Sequence, residues 1–152
     1  PVDPMGLEEP FSPEEIEDYR RLMDATDIPL ATGEHTYSRW NITPFLEEGL
    51  IRYVQCDPEW CGGVTELTAI CDLVAQYDGV QVVPHGHHVL AAAHVVASRS
   101  ATLCPMVEHG IAWLPDRQRA QTQTLTVTQG CLKTPLGPGL GPGIDWDRFE
   151  RL

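Results

Sequence analysis

Five ionisable side chains stand where short apolar runs end: Glu8, Glu34, Asp57, His85 and Glu108. They recur at intervals of roughly 25 residues, the length of one strand, one helix and their connections. If the runs are parallel strands of one sheet, their C-terminal ends share a rim and the five groups converge there. Two carboxylates on neighbouring strands, Glu8 and Glu34, repel unless a cation lies between them. An all-oxygen donor pair suits a hard ion such as Mg²⁺. Asp57 and His85, one strand apart, can form a dyad. The carboxylate fixes the imidazole tautomer and favours its protonated form, making His85 a better base near neutral pH. A Mg²⁺-bound substrate carboxylate beside such a base predicts abstraction of the proton α to that carboxylate, with the metal stabilising the enediolate that develops.

The elements needed to hold these groups are legible as alternating strand-like and helical runs. A strand ends at Glu8, before the turn at Pro10. Ser12-Pro13-Glu14-Glu15 reads as a helix start, with Ser12 as cap, Pro13 at the first helical position and Glu15 completing a capping box. Ile16, Tyr19 and Met23 give the stripe of that helix. Ile28 to Ala31 is the second strand, followed by a weaker helix stopped by Gly49. Leu50 to Gln55 is the third, and the helix from Val64 carries Leu67, Ile70, Leu73, Val74 and Tyr77. Val80 to Val83 reads as a strand buried on both faces, followed by a helix from Val89 to Ala97. Leu103 to Val107 is a fifth strand ending at Glu108. The pattern predicts an α/β fold with a parallel sheet and right-handed crossovers over residues 1–115. A C-terminal extension, 116–152, is irregular, with a period-two strand at Thr124–Thr128. Seven of its nine residues from Pro135 to Gly143 are Gly or Pro, which demands turns. Ile144 to Leu152 reads as a short terminal helix or a free end.

Composition narrows the function. The formal net charge is −12, from 10 Lys plus Arg against 22 Asp plus Glu, which argues against nucleic-acid and anionic-membrane partners. No apolar run is long enough for a membrane span, and the chain opens with no apolar leader. The opening Pro1-Val2-Asp3-Pro4, without Met, suggests a processed, excised or truncated product. Five cysteines without C-x-x-C spacing indicate neither a disulfide framework nor a zinc ribbon, and read as buried or half-buried thiols of a cytoplasmic protein. The acidic run Glu14, Glu15, Glu17, Asp18 reads as a solvated helix face, Trp40 and Trp60 as packing aromatics, and His94 as a satisfied or exposed histidine.

Leu7-Glu8-Glu9-Pro10, Thr32-Gly33-Glu34-His35, Gln55-Cys56-Asp57 with Gly62-Gly63-Val64-Thr65-Glu66, and Val83-Pro84-His85-Gly86 resemble successive barrel-strand motifs of the enolase superfamily. Within it they most resemble the mandelate-racemase-like acid-sugar dehydratases. Trp60 to Glu66, with Arg39-Trp40, is similar to the rhamnonate dehydratase branch, and Pro138 to Gly141 to the family's C-terminal segment. The resemblance implies a partial TIM barrel, about strands 4 to 8 of a (β/α)₈ barrel. It implies Glu8 and Glu34 as Mg²⁺ ligands, and Asp57–His85 as dyad with His85 as base or as the acid that helps hydroxide leave. Glu108 would contact substrate or the reacting oxygens, and His35 would face the substrate. The implied reaction is dehydration of a sugar acid, syn or anti, to a 2-keto-3-deoxy acid. Cys56 replaces the family's usual Pro.

By the same resemblance the capping domain, the first three strands and the third metal carboxylate are missing. Two carboxylates alone would bind Mg²⁺ weakly, so the isolated chain is expected to have little or no dehydratase activity. The expected partners are a small sugar acid and either further copies of a full-length form or a missing N-terminal half. Two other readings stay open. One is a non-catalytic or split half-barrel. The other is a zinc hydrolase built on His85, His87 and His88, because a His-x-His at a strand end can present imidazoles to Zn²⁺.

Overall fold

A computed structural model describes residues 2–87 and 89–151, so the expectation for His88 lies outside the described residues. Four strands, β1 (Leu7–Glu8), β2 (Leu30–Thr32), β3 (Tyr53–Val54) and β4 (Gln81–Val82), pair in parallel in chain order. The pairs Leu7–Leu30, Ala31–Tyr53 and Tyr53–Gln81 set the register. Between and after them run α1 (Ile16–Ala25), α2 (Arg39–Glu47), α3 (Val64–Val74) and α4 (Val89–Ala97). Strands adjacent in both sequence and sheet, joined by helical crossovers, make an arc of a (β/α) barrel.

The core lies between sheet and helices. Leu30, Val54 and Val82 meet Tyr19 of α1, Ile42 and Phe45 of α2, and Leu67, Ile70 and Val74 of α3. On the other face Met5, Gly6, Glu8, Ala31, Tyr53, Gln55 and Val83 line a cavity of about 120 Å³. After α4 the chain forms α5 (Leu114–Arg117), the hairpin β5 (Val127–Thr128) and β6 (Cys131–Leu132), and α6 (Trp146–Phe149). The hairpin turns on Gln129 and Gly130, both at positive φ, as a two-residue primed turn requires. No helix among the described residues is long and apolar enough to cross a membrane.

Three local expectations are corrected. Helix α1 starts at Ile16, because Ser12–Glu15 closes as a separate turn through Glu15 N–H to Ser12 C=O at 2.9 Å. That turn folds Phe11 back so that its carbonyl accepts the Tyr19 hydroxyl at 2.9 Å. The expected fifth strand is not formed: 103–107 runs beside β4 with Val82 N–H donating to Leu103 C=O and Glu108 N–H to Pro84 C=O. Pro84 and Pro105 each remove an amide a continuous ladder would need. The period-two strand is shorter and later than expected, confined to Val127–Thr128.

Candidate active site

The sheet delivers the predicted residues to one end. β2 ends at Thr32, and the chain then crosses over the start of the β3 loop. A side chain at Gly33, where φ is +148°, would sit 2.5 Å from the Cys56 amide nitrogen, so only glycine allows that crossing. Glu34 follows immediately, and its Oε2 lies 2.8 Å from His85 Nε2. On the other side of the ring, His85 Nδ1 meets Asp57 Oδ2 at 2.9 Å. Asp57 is itself buried and held in place because its Oδ1 accepts the Glu59 N–H at 2.7 Å. Neighbouring strand ends thus build a chain Glu34–His85–Asp57. The Asp57 hydrogen bond, and then Glu34 and Glu108, raise the His85 pKa against the opposing effect of burial.

Glu108 arrives on the strand-like segment beside β4, and its Oε2 accepts the Gly86 N–H at 3.2 Å. Gly86 permits this, since a Cβ there would meet the Glu108 carbonyl oxygen at 2.3 Å. Glu8 stands at the open edge of the sheet. Partial desolvation and then Glu108 raise its carboxyl above the ordinary range; a Gln55 hydrogen bond pulls it down and Glu34 adds a further upward push. Glu8 therefore feels the charge of both Glu108 and Glu34 across the mouth. His35 lies beside them, its Nδ1 3.5 Å from Glu34 Oε1.

Glu9, Trp60, Glu59 and Arg117 were not among the expected site residues. Glu9 adopts a φ of +32°, which turns its side chain inward over β2. Its Oε1 accepts from Thr32 Oγ1, Gly33 N–H and His35 N–H, and its Oε2 lies 2.5 Å from His35 Nδ1. Among the described residues the only group of three or more His, Cys, Asp or Glu whose ligand atoms all lie within 4.8 Å of one another is Glu9, Glu34 and His35. Glu9, the neighbour of the expected Glu8, is the acid that joins Glu34 and His35 in this group. The Glu8-Glu9 doublet was a signal that could have drawn attention to both. Trp60, expected to be a packing residue, instead lies beside three imidazoles, with ring centroids 5.9 Å from His35, 5.5 Å from His85 and 5.2 Å from His87. Trp40 is exposed, with the Arg39 guanidinium over its ring. His85 and His87 stack, but they turn Nδ1 to different carboxylates, Asp57 and Glu59, and Arg117 approaches the far nitrogen of His87. They do not converge on a point as a zinc centre requires.

The donor set fits a hard divalent cation. Glu8 and Glu34 offer carboxylate oxygens in a field that already disfavours Glu8's charge, and a cation there would relieve that repulsion.

Known proteins share this architecture. A family model described as "Enolase C-terminal domain-like" matches residues 1–148. A D-galactonate dehydratase of Variovorax paradoxus is 42% identical over 98% of this chain and 41% of its own length. A D-galactarolactone cycloisomerase of Agrobacterium fabrum is 33% identical over 96% of this chain and 41% of its own. The crystal structure of a 3,6-anhydro-D-galactonate cycloisomerase from Zobellia galactanivorans superposes with a TM-score of 0.82 at 31% identity, over 97% of this chain and 42% of that one. The chain thus spans about two fifths of the length of the curated relatives it matches.

Proposed function

The chain belongs to the enolase C-terminal domain-like family, and on that premise we propose that it carries the acid–base side of a sugar-acid dehydratase site. The observation that supports this most is the Glu34–His85–Asp57 chain at the mouth of the sheet. Glu8 and Glu34 would hold Mg²⁺. The bound ion would take up the substrate carboxylate and the negative charge that grows on it as the α-proton leaves.

The remaining work falls to the protein. Asp57, buried and fixed by a backbone amide, anchors His85 Nδ1, while Nε2 lies 2.8 Å from Glu34 Oε2 and would come free for substrate when Glu34 turns to a bound cation. That nitrogen takes the α-proton from the substrate, and Asp57 stabilises the imidazolium that results. The same nitrogen can return a proton to the departing hydroxyl. Loss of the α-hydrogen and the β-hydroxyl leaves an enol, which becomes the 2-keto-3-deoxy acid. Glu108, held against the Gly86 amide, orients substrate hydroxyls, and His35 closes the opposite side of the mouth beside Glu34.

Two carboxylates leave most of an octahedral shell to water and substrate, so the 152-residue chain by itself should turn over little or no sugar acid. The sheet also ends at β1, an open edge that a complementary N-terminal half would pair with. The test is a chimera in which the N-terminal part of the Variovorax dehydratase precedes this chain, assayed with aldonates and Mg²⁺ for 2-keto-3-deoxy acid. Turnover by the chimera, abolished by His85→Asn and absent from the isolated chain, is the expected result. Undiminished turnover by the His85→Asn chimera would refute the assignment.

A further inference from the structure

The core behind the sheet contains four cysteine sulfurs that the proposed reaction does not use, and two of them lie side by side. Cys71 of α3 and Cys104, in the turn after α4, are both buried, with Sγ atoms 3.9 Å apart. A second residue straps the same two pieces of chain together. Arg99 donates to Asp72 Oδ1 at 2.6 Å and to the Thr68 carbonyl at 3.2 Å, both on α3. Its Nε is buried and has no hydrogen-bond acceptor among the described residues. A guanidinium with an unused donor therefore lies in the same packing layer as a pair of free thiols.

We propose that Cys71 and Cys104 are an oxidation site, a dithiol that hydrogen peroxide converts to a disulfide within the folded chain. The Cys104 sulfur attacks one peroxide oxygen; the O–O bond breaks and the departing hydroxide takes up the thiol proton as water, leaving a sulfenic acid. The Cys71 sulfur then attacks that sulfur; the S–O bond breaks and hydroxide leaves as water with the Cys71 proton. Two thiols and one peroxide give one disulfide and two waters, with sulfur oxidised and peroxide oxygen reduced.

The order of attack follows from the surroundings. The contact with Cys71, and the charge of Arg99, lower the Cys104 thiol toward its thiolate, while the same contact and burial push the Cys71 thiol up. Cys56 and Cys61 contrast with the pair: burial pushes their thiols up to about 12 and about 11, so they remain protonated. The new bond would tie the turn leading to Glu108 onto α3, and it is independent of whether the chain dehydrates sugar acids.

The experiment uses the full chain carrying Cys131→Ser, which removes the exposed thiol and hence disulfides between copies. Peroxide treatment of the folded protein, then quenching, denaturation and thiol titration, should show two thiols lost and two hydrogens lost in mass. A peptide linking Cys71 to Cys104 should be reversible by dithiothreitol. Closing this loop should raise the thermal midpoint by about 5–10 °C. Adding Cys104→Ser should abolish both the linkage and the rise. The proposal is overturned if all remaining thiols survive at peroxide levels that oxidise the Cys131 of the unsubstituted chain. It is equally overturned if the linkage joins Cys56 or Cys61, or if the midpoint falls on oxidation.

Discussion

The β/α layer that runs to Gly110 and the extension after it bury their apolar side chains very differently. In the first, Tyr19, Ile42, Leu67, Ile70, Val74 and Val82 are entirely inaccessible, and α1 to α4 share one continuous core. In the second, Leu136 is 86% exposed, Ile111 80% and Trp146 61%. Its anchors are few. Leu114 and Leu125 pack on Val89, Leu90 and Ala93 of α4, and the buried Gln118 side chain accepts the Leu125 amide. His94 Nε2 meets the Leu140 carbonyl at 3.0 Å. Every predicted chemical group lies in the first region, while the second supplies Arg117 to the mouth and otherwise covers one helix. The densest packing thus lies under the sheet whose strand ends carry these groups, and the extension adds little to it.

The largest effect should come from the shared core. Phe45→Ala removes a ring packed edge-on against Tyr19, at 5.1 Å between centroids, and should cost about 3–5 kcal/mol in urea unfolding. A cost below about 1 kcal/mol would mean that the first region is no better packed than the second. Gly86→Ala comes next. Its Cβ meets the Glu108 backbone at 2.3 Å, so the segment beside β4 must shift, at a cost of about 2–3 kcal/mol. Wild-type stability in this variant would show that the Gly86–Glu108 approach does not constrain the mouth.

Much of the first region was legible in the sequence for a simple reason: its burial is periodic. Leu67, Ile70 and Val74 mark one face of α3, and Val80 to Val83 reads as the buried strand that became Gln81–Val82. Glu34, Asp57 and His85 could be placed near one another because strand ends in a parallel sheet share a rim. Glu9 and Trp60 were not legible. Glu9's orientation depends on a backbone φ of +32°, and Trp60's on the turn that begins where Asp57 C=O accepts the amides of Trp60 and Cys61. The fifth strand was expected because Leu103–Val107 is apolar, yet the amides missing from two prolines decide its hydrogen bonding. The start of α1 was misplaced because Ser12 closes a turn of its own.

The comparison can be sharpened inside the first region with pH. Glu66 on α3 accepts the Arg39 amide at 2.9 Å and two guanidinium bonds, at 3.0 and 2.9 Å, tying α2 to α3. The Arg39 backbone bond is the main cause that lowers its pKa below the usual carboxylate range. A folded value below the unfolded one of about 4.3 means the stabilisation is complete above that value and is lost as pH falls through the folded value. Glu66→Gln should therefore cost about 1–2 kcal/mol at pH 7, and the gap to the parent should close as the pH drops below about 4. A gap that stays constant with pH would show that the bridge acts through shape and not through charge.

The smallest effect should lie in the extension. Trp146 begins α6 and meets Phe149 edge-on at 5.7 Å, but both rings are open to solvent. The helix owes its start to Asp145, whose Oδ1 accepts the Arg148 amide at 2.9 Å, and not to burial of its aromatic pair. Trp146→Ala should thus change stability by less than about 0.5 kcal/mol, while Asp145→Ala should cost about 0.5–1 kcal/mol by freeing that amide. If Trp146→Ala costs as much as Phe45→Ala, the extension packs as tightly in solution as the barrel layer, and the contrast between the two regions disappears.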